Sequence, residues 1–330
     1  LAKAARWGIS YVVHRPPDLE QLASAGDTGT QYALAVSLLA LSDSPDSFAR
    51  GAALVEAAAA KGHAEATCML ATLEAVGAGR RQDWTRAFEC LQLAADRGSE
   101  HARAQLQLLA GPAAPARIDL KRLLQVPERV ALSERPRLRV FPGFASPAEC
   151  QWVVARMRPK LAPAMVWDEV SGAGRVDPVR NSSAVELRLT EMDVAIEILR
   201  ARISVATRLP EPIFEIPQVM HYTVGQEFRP HHDFLDPQEQ GHAADLGRRG
   251  QRIGTFLIYL NDDFEGGETD FPRAGLCHRG RTGDALFFAN VTPDGHPDPL
   301  TVHAGRPPAS GEKWIFSQWI RDRVPGPPPG

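Results

Sequence analysis

The sequence predicts an α+β multidomain protein, an N-terminal α-helical repeat solenoid followed by a β-sandwich flanked by helices. Three observations predict it. Up to about residue 112 the chain is alanine-rich, with apolar residues at helical spacing. Beyond about residue 136 it shows short β-branched and aromatic runs punctuated by Gly, Pro and Asp. Features of the first part also recur at a fixed interval. The expected boundaries are 1–112 for the repeats, 113–136 for a linker and 137–330 for a second domain. The segment GPAAPAR at 111–117 suits a hinge, because its two prolines remove amide donors and restrict their neighbours.

Within the first part, Ala25-Gly26, Lys61-Gly62 and Arg97-Gly98 recur every 36 residues, and Leu34, Leu70 and Leu106 follow each glycine by eight. Phe48, Gly51, Ala58 and Ala59 recur as Trp84, Ala87, Ala94 and Ala95. One helical hairpin per period is the consequence: glycine supplies a left-handed turn, alanines allow close helix approach, and leucines fill the grooves. The pattern resembles the Sel1-like branch of the tetratricopeptide repeats, although Thr30 stands where later copies have Ala66 and Ala102. That resemblance implies a concave surface for a protein or peptide; the plainer expectation is a scaffold packed on the second domain.

A net charge of -3 gives no general electrostatic attraction to nucleic acid or an anionic membrane. Four cysteines (Cys68, Cys90, Cys150, Cys277) without a C-x-x-C pair signal neither a disulfide framework nor a zinc-thiolate site, which suits a reducing cytoplasm. No apolar run approaches the roughly 20 residues of a membrane span. The opening LAKAARWGISYVVHRPP lacks the order of a signal peptide, though the chain starts at Leu1 rather than methionine.

In the second part, LRVFPGF, a helical AECQWVVARMRPKL and a helical EMDVAIEILRARISVAT precede the strand-like IPQVMHYTV, RIGTFLIYLN, DALFFANV and KWIFSQWI. His231 and Asp233 are two apart, so in an extended strand both project from one face. His303, from a distant strand, would complete a two-histidine, one-carboxylate face that leaves three coordination positions for oxygen and a bidentate cosubstrate, the pattern of iron(II) sites. Ten residues later comes Lys313, opening an apolar strand. A lysine buried beside a metal pocket needs an anionic partner, and the distal carboxylate of 2-oxoglutarate would be that partner.

The matching pieces are Y-x-x-G-Q-x-F-x-x-H-x-D from Tyr222 to Asp233, the run of Arg252, Thr255, Tyr259, Leu260 and Asn261, then Gly266-Gly267-Glu268-Thr269, and H-A-G at His303 with Lys313 ten on. Residues 137–322 thereby resemble the prolyl 4-hydroxylase family of iron- and 2-oxoglutarate-dependent dioxygenases. The resemblance implies a double-stranded β-helix, or jelly roll, whose mouth holds iron(II). It makes His231, Asp233 and His303 the metal ligands, and puts Tyr222, Thr255, Tyr259 and Lys313 around 2-oxoglutarate, with Trp319 packed behind the ligands. Arg252, Arg180 and Asn181 become candidate substrate contacts. Cofactors would be Fe(II), 2-oxoglutarate and O2, with ascorbate as reductant. Phe228 and Asn181 depart from the family pattern, where tyrosine and threonine are common; Asn181 could alter what the mouth accepts.

Taken alone, an H-x-D pair is most often a surface feature. His232, of opposite parity, and His221, ten residues upstream of the first ligand, read as structural; His296 lies in a turn-rich loop. The polar stretch 235–249 reads equally as an ordinary loop or as a lid. Retention of Asp233 leaves no ligand position for chloride, so hydroxylation, with release of succinate and CO2, is the expected outcome. The expected substrate is a prolyl or other residue of a protein or peptide, recognised with help from the repeats. A free amino acid or natural-product intermediate is the enzymatic alternative, and a catalytically silent adaptor the non-enzymatic one.

Overall fold

The structure, a computed structural model, describes residues 26–40, 45–111, 118–168, 173–176, 180–239 and 242–326. Most of the expected hinge, 112–117, and the first 25 residues lie outside this set. Helices come first, and a β-sandwich comes after them.

The N-terminal helices are α1 (Thr28–Ala40), α2 (Pro45–Ala60), α3 (Ala64–Val76), α4 (Trp84–Asp96) and α5 (Glu100–Ala110), each packed on the next. Gly26, Gly62 and Gly98 have φ of 90°, 92° and 99°, so the three recurring glycines all make the left-handed turn that a side chain would strain. The residue before the glycine ties each period to the previous one. Lys61 Nζ donates to Gly26 O at 3.3 Å, and Arg97 Nη1 to Ala59 O at 2.7 Å. Ala58, Ala59, Ala94 and Ala95 are buried, as close helix approach requires. His63 Nδ1 and the Asp83 and Ser99 side chains accept from backbone amides at the starts of α3, α4 and α5.

Two compact units are separable, and the division differs from the expected boundaries. Residues 188–205 group with the helices before residue 125, while 126–187 and 206–325 form the other unit. A buried polar junction lies within this grouping. Gln105 Oε1 accepts from Val194 N (3.0 Å) and Ala195 N (3.3 Å), supplying acceptors to the first turn of the helix Val194–Thr207, and Arg202 Nε donates to Leu123 O at 2.8 Å. Residues 130–133, expected in a linker, form a strand.

The two larger sheets of the second unit are built from β1 (Val130–Ser133), β2 (Leu138–Phe141), β3 (Ala162–Pro163), β4 (Ser183–Glu186), β5 (Gln218–Tyr222), β6 (Phe228–His231), β7 (Arg252–Tyr259), β8 (Thr269–Phe271), β9 (Leu276–His278), β10 (Ala285–Ala289), β11 (His303–Gly305) and β12 (Lys313–Arg321). One sheet runs β1-β2-β10-β7-β12-β5-β4-β3, and a second runs β9-β8-β11-β6. Between them lies a core that includes Leu257, Tyr259, Leu286, Phe288, Ile315 and, from the second sheet, Phe271. The helix Pro147–Met157 starts on a capping box: Ser146 Oγ accepts from Glu149 N, the Glu149 carboxylate accepts from Ser146 N, and Pro147 occupies the first turn.

The polar stretch 235–249 is not a plain loop. It contains the helix His242–Arg249, held by Asp245 to Arg321 Nη2 at 2.7 Å and internally to Arg249. Gln251 closes its base, accepting from Leu235 N (2.7 Å) and donating to Leu235 O (2.8 Å).

Candidate active site

Antiparallel pairing of β11 with β6 sets His303 directly opposite His231. Asp233 lies just beyond the end of β6, in a bend rather than in the extended strand that the H-x-D spacing suggests. Its carboxylate still reaches both rings: Oδ1 is 3.7 Å from His231 Nε2, and Oδ2 is 3.6 Å from His303 Nε2. One ligand atom from each residue lies within 4.8 Å of the others, so a single ion can touch all three.

The imidazoles are turned for ligation. His231 Nδ1 is 2.7 Å from Arg229 O, and His303 Nδ1 is 3.0 Å from Thr301 O. A carbonyl can only accept, so both Nδ1 atoms carry the proton and both Nε2 lone pairs face the shared point. Burial, reinforced by His303, lowers the His231 pKa, which keeps the ring neutral and available to a cation. For Asp233, burial opposes ionisation, but His303, His231 and the Thr255 hydroxyl outweigh it and hold the pKa below its ordinary value. Phe228 stacks flat on His231 with ring centres 3.6 Å apart, and Phe271 and Phe288 flank His303.

Two buried side chains that the sequence reading did not assign to this role orient the carboxylate. Thr255 Oγ1 donates to Asp233 Oδ2 at 2.6 Å, and Asn290 Nδ2 donates to Thr255 Oγ1 at 3.0 Å. Because the amide occupies the hydroxyl's acceptor side, the hydroxyl proton must point at Asp233. Oδ1 is thereby left as the oxygen free for a metal. Asn290 was legible in principle: it continues the inward parity of Leu286 and Phe288 in DALFFAN.

Lys313 is 2% exposed at the start of β12, opposite Tyr222, and its ammonium lies 5.3 Å from the centre of that ring. Among the described residues no carboxylate stands within ion-pair distance of it. Burial pushes its pKa down to about 8, against a raising influence from Glu268. One pocket joins Lys313 to His231, Asp233 and His303, with Tyr222, Thr255 and Trp319 also on its wall. A cation at one end of the pocket and three metal donors at the other suit a dicarboxylate that chelates the metal.

Not every candidate reaches this pocket. The Tyr259 hydroxyl bonds Thr269 Oγ1 at 2.8 Å; Thr269 lines the pocket and Tyr259 stands behind it. Arg252 forks onto Glu215 at 2.6 and 3.0 Å and lies 4.0 Å over the Trp319 ring. Its guanidinium thus supports Trp319 and is already engaged. Arg180 donates to Ser182 Oγ and Gln218 Oε1 and stacks behind Phe228. Asn181 pairs with Glu227, its Oδ1 accepting from Glu227 N at 2.7 Å. His221 bonds Glu312 Oε2 at 2.7 Å, and His232 stacks on Phe234, both away from the donor cluster.

Residues 217–321 match the family described as the 2OG-Fe(II) oxygenase superfamily, which makes the protein a 2-oxoglutarate-dependent dioxygenase employing Fe(II), 2-oxoglutarate and O2. Prolyl 4-hydroxylase 1 of Arabidopsis thaliana is 36% identical over 212 residues, covering 60% of this chain and 72% of the relative. Prolyl 4-hydroxylase 5 of the same plant is 35% identical, covering 57% and 69%. Among solved structures, a viral collagen prolyl hydroxylase from Paramecium Bursaria Chlorella virus-1, in its 2OG complex, aligns with a TM-score of 0.42 and 29% identity, covering 56% of this chain and 94% of that one. The chain belongs to the prolyl 4-hydroxylase family of these oxygenases. No helix among the described residues is long and apolar enough to cross a membrane.

Proposed function

We propose that the protein hydroxylates a prolyl residue, or another residue, of a protein or peptide. The observation that carries the oxygenase half of this reading is the single pocket with His231, Asp233 and His303 at one end and the uncompensated Lys313 at the other. In it the two Nε2 atoms and Asp233 Oδ1 would hold Fe(II), and Lys313 would anchor the distal carboxylate of 2-oxoglutarate beside Tyr222. The bound metal and cosubstrate supply activation of O2, converting a carbon-hydrogen bond to a hydroxyl as 2-oxoglutarate becomes succinate and CO2.

The chain's own residues do the positioning. Asn290 and Thr255 hold the carboxylate with one oxygen forward; Phe228, Phe271 and Phe288 exclude water from the imidazoles; Lys313 fixes the cosubstrate's far end. At the mouth, Trp319 is the one incompletely buried residue of β12, and Arg252 backs one face of its ring. Its other face is a rigid apolar wall suited to a pyrrolidine ring. The names of the relatives support a prolyl target for this wall.

The finer architecture belongs to the same reading. The two sheets form a double-stranded β-helix, and the N-terminal hairpins are Sel1-like repeats of a solenoid, supported by their glycine turns and consecutive packing. We place the repeats at 1–112 and the oxygenase at 137–330, apart from residues 188–205, which group with the N-terminal helices. Substrate recognition by the repeats and a cytoplasmic location, consistent with four free thiols, complete it.

The test is 2-oxoglutarate consumption by purified protein with Fe(II), with and without proline-containing peptides, in wild type and in His231→Ala and Asp233→Ala. Peptide-stimulated succinate release that both substitutions abolish is expected. Failure to bind Fe(II) or 2-oxoglutarate would refute the oxygenase site; stimulation only by free amino acids would refute the protein substrate. Removing 1–111 would take Gln105 from helix Val194–Thr207, so the repeats are better tested by replacing their exposed Arg86, Glu89 and Leu93. Unchanged KM for the peptide would exclude that surface from recognition.

A further inference from the structure

A second groove, with a volume of about 940 Å³, lies on the face of the large sheet that turns away from the iron pocket, and every residue on its wall belongs to the second unit. Leu286 and Phe288 of β10 point into the core, so Phe287 and Ala289 point outward, and Arg139 of β2 stands opposite Phe287 on that outer face. Phe287 and Phe141 form the floor. Gly254 permits it: a Cβ there would come within 2.8 Å of the Phe287 ring, which lies over the bare backbone of β7.

One wall of the groove is basic. Arg129, Arg135, Arg137 and Arg139 all line it, within the segment RVALSERPRLR. Arg139 is held by the Glu134 carboxylate at 2.6 Å and the Ser133 carbonyl at 2.7 Å. Arg129, Arg135 and Arg137 are exposed and form no ion pair among the described residues. Asp298 is buried and accepts from Leu300 N at 3.0 Å, leaving Asp294 to balance three guanidinium groups. This local excess of positive charge opposes the net charge of -3 on the whole chain. Exposed arginines alone are a solvated face; around an apolar floor they are complementary to carboxylates spaced between apolar side chains.

We propose that this groove is a docking site for an acidic, apolar-anchored segment of the protein substrate, separate from the residue that enters the iron pocket. The proposal rests on the reading of the protein as a hydroxylase of protein or peptide residues. The groove's place in the fold assigns the occupant to substrate. Ile253 on the groove stands two residues before Thr255 of the pocket wall, along β7. Asn290, whose side chain bonds Thr255, sits between the groove residues Ala289 and Val291. Trp319 at the mouth pairs with Thr255, so groove and mouth lie at the same end of the sheet, one on each face. About ten residues of extended chain cover roughly 33 Å, ample to pass round the end of a sheet whose packed layers are about 10 Å apart. The floor is aliphatic as well as aromatic, with Leu209, Ile253 and Val291, so it suits peptide side chains better than nucleic-acid bases, which need stacking platforms.

Fluorescence anisotropy of the labelled peptide EEFDLEEF with full-length protein measures docking directly. Arg129→Glu, Arg135→Glu and Arg137→Glu together remove three exposed charge contacts and should weaken binding roughly tenfold. Binding should also weaken as salt rises from about 0.05 to about 0.5 M, and should survive His231→Ala. Phe287→Ala, which removes part of the floor, should weaken it at either salt concentration. No binding, or binding indifferent to the arginine substitutions, would overturn the docking site. Tighter arginine-dependent binding of labelled oligo(dT) than of EEFDLEEF would refute the peptide assignment. The link to substrate is read by joining EEFDLEEF, or the charge-reversed KKFKLKKF, through about ten glycine and serine residues to each proline-containing peptide of the turnover assay. The acidic extension should lower KM roughly tenfold with kcat unchanged, and the arginine variant should lose that advantage while still turning over the unextended peptide. Equal KM with both extensions would defeat the assignment to substrate and leave hydroxylation standing. If no peptide gains oxygen although EEFDLEEF binds through the arginines, the hydroxylase reading fails and the groove remains a peptide-docking surface.

Discussion

Replacing Thr255 by valine keeps the side chain's shape and removes one hydroxyl from the Asn290–Thr255–Asp233 relay. The three side chains are buried, with Thr255, Asn290 and Asp233 exposed by 1%, 0% and 4%, so water cannot easily replace the lost group. Asp233 Oδ2 loses a 2.6 Å hydrogen bond to an ionised carboxylate, a class of bond that contributes about 1.5–3 kcal/mol. With Oδ2 unrestrained the carboxylate rotates, and the geometry that presents Oδ1 to a metal is no longer held. At about 1.4 kcal/mol per factor of ten, the expected loss of Fe(II) affinity is roughly 10- to 100-fold. Folding is affected through a second route. Asn290 Oδ1 has no partner among the described residues, and the substitution also orphans Nδ2, at a further cost of about 1–3 kcal/mol. Anaerobic titration calorimetry with Fe(II), or with Mn(II) as a redox-stable probe, measures the affinity, and urea unfolding of the metal-free protein measures the fold. Asn290→Ala keeps the Thr255–Asp233 bond, so it should lower stability with a smaller effect on metal binding. A folded Thr255→Val variant that binds metal within about twofold of wild type would refute the orienting role of the hydroxyl.

The same geometry sets other outcomes. Burial lowers the Lys313 pKa to about 8 in the ligand-free pocket, and a bound carboxylate raises it. Affinity for 2-oxoglutarate should therefore be constant below about pH 8 and weaken above it by up to about tenfold per pH unit, until the pKa of the occupied pocket is reached. Calorimetry from about pH 7 to about pH 10 reads this loss, and a flat profile would remove Lys313 from the anchoring role. Glu215 bridges Arg252 and Arg321, and despite burial those cations hold its pKa well below the carboxylate range. Glu215→Gln leaves two guanidinium groups poorly compensated and should cost about 3–5 kcal/mol in urea unfolding; a loss under about 1 kcal/mol would show the cluster to be solvated. Saturating metal at about 100 times its Kd should stabilise the fold by about 2.7 kcal/mol, reversibly on chelation, and His303→Ala should abolish that gain.

The sequence alone determined the chemistry because its chemistry is local. H-x-D spacing, a histidine with a lysine ten residues on, and the G-Q-x-F turn are short-range patterns whose residue types restrict what they can do. The 36-residue repeat was legible for a similar reason, since Gly26, Gly62 and Gly98 each answer to the same backbone requirement. The tertiary structure decided what depends on distant segments meeting. Thr255 and Asn290 are 35 residues apart, and only the pairing of β7 with β10 turns them into one relay with Asp233. Arg252 looked available for substrate until Glu215, 37 residues away, was found to hold it. Residues 188–205 group with the N-terminal helices, where the side chain of Gln105 accepts from the start of a helix 89 residues later. Such contacts leave no period or motif in a chain: each is a complementarity between two surfaces, and neither surface records its partner.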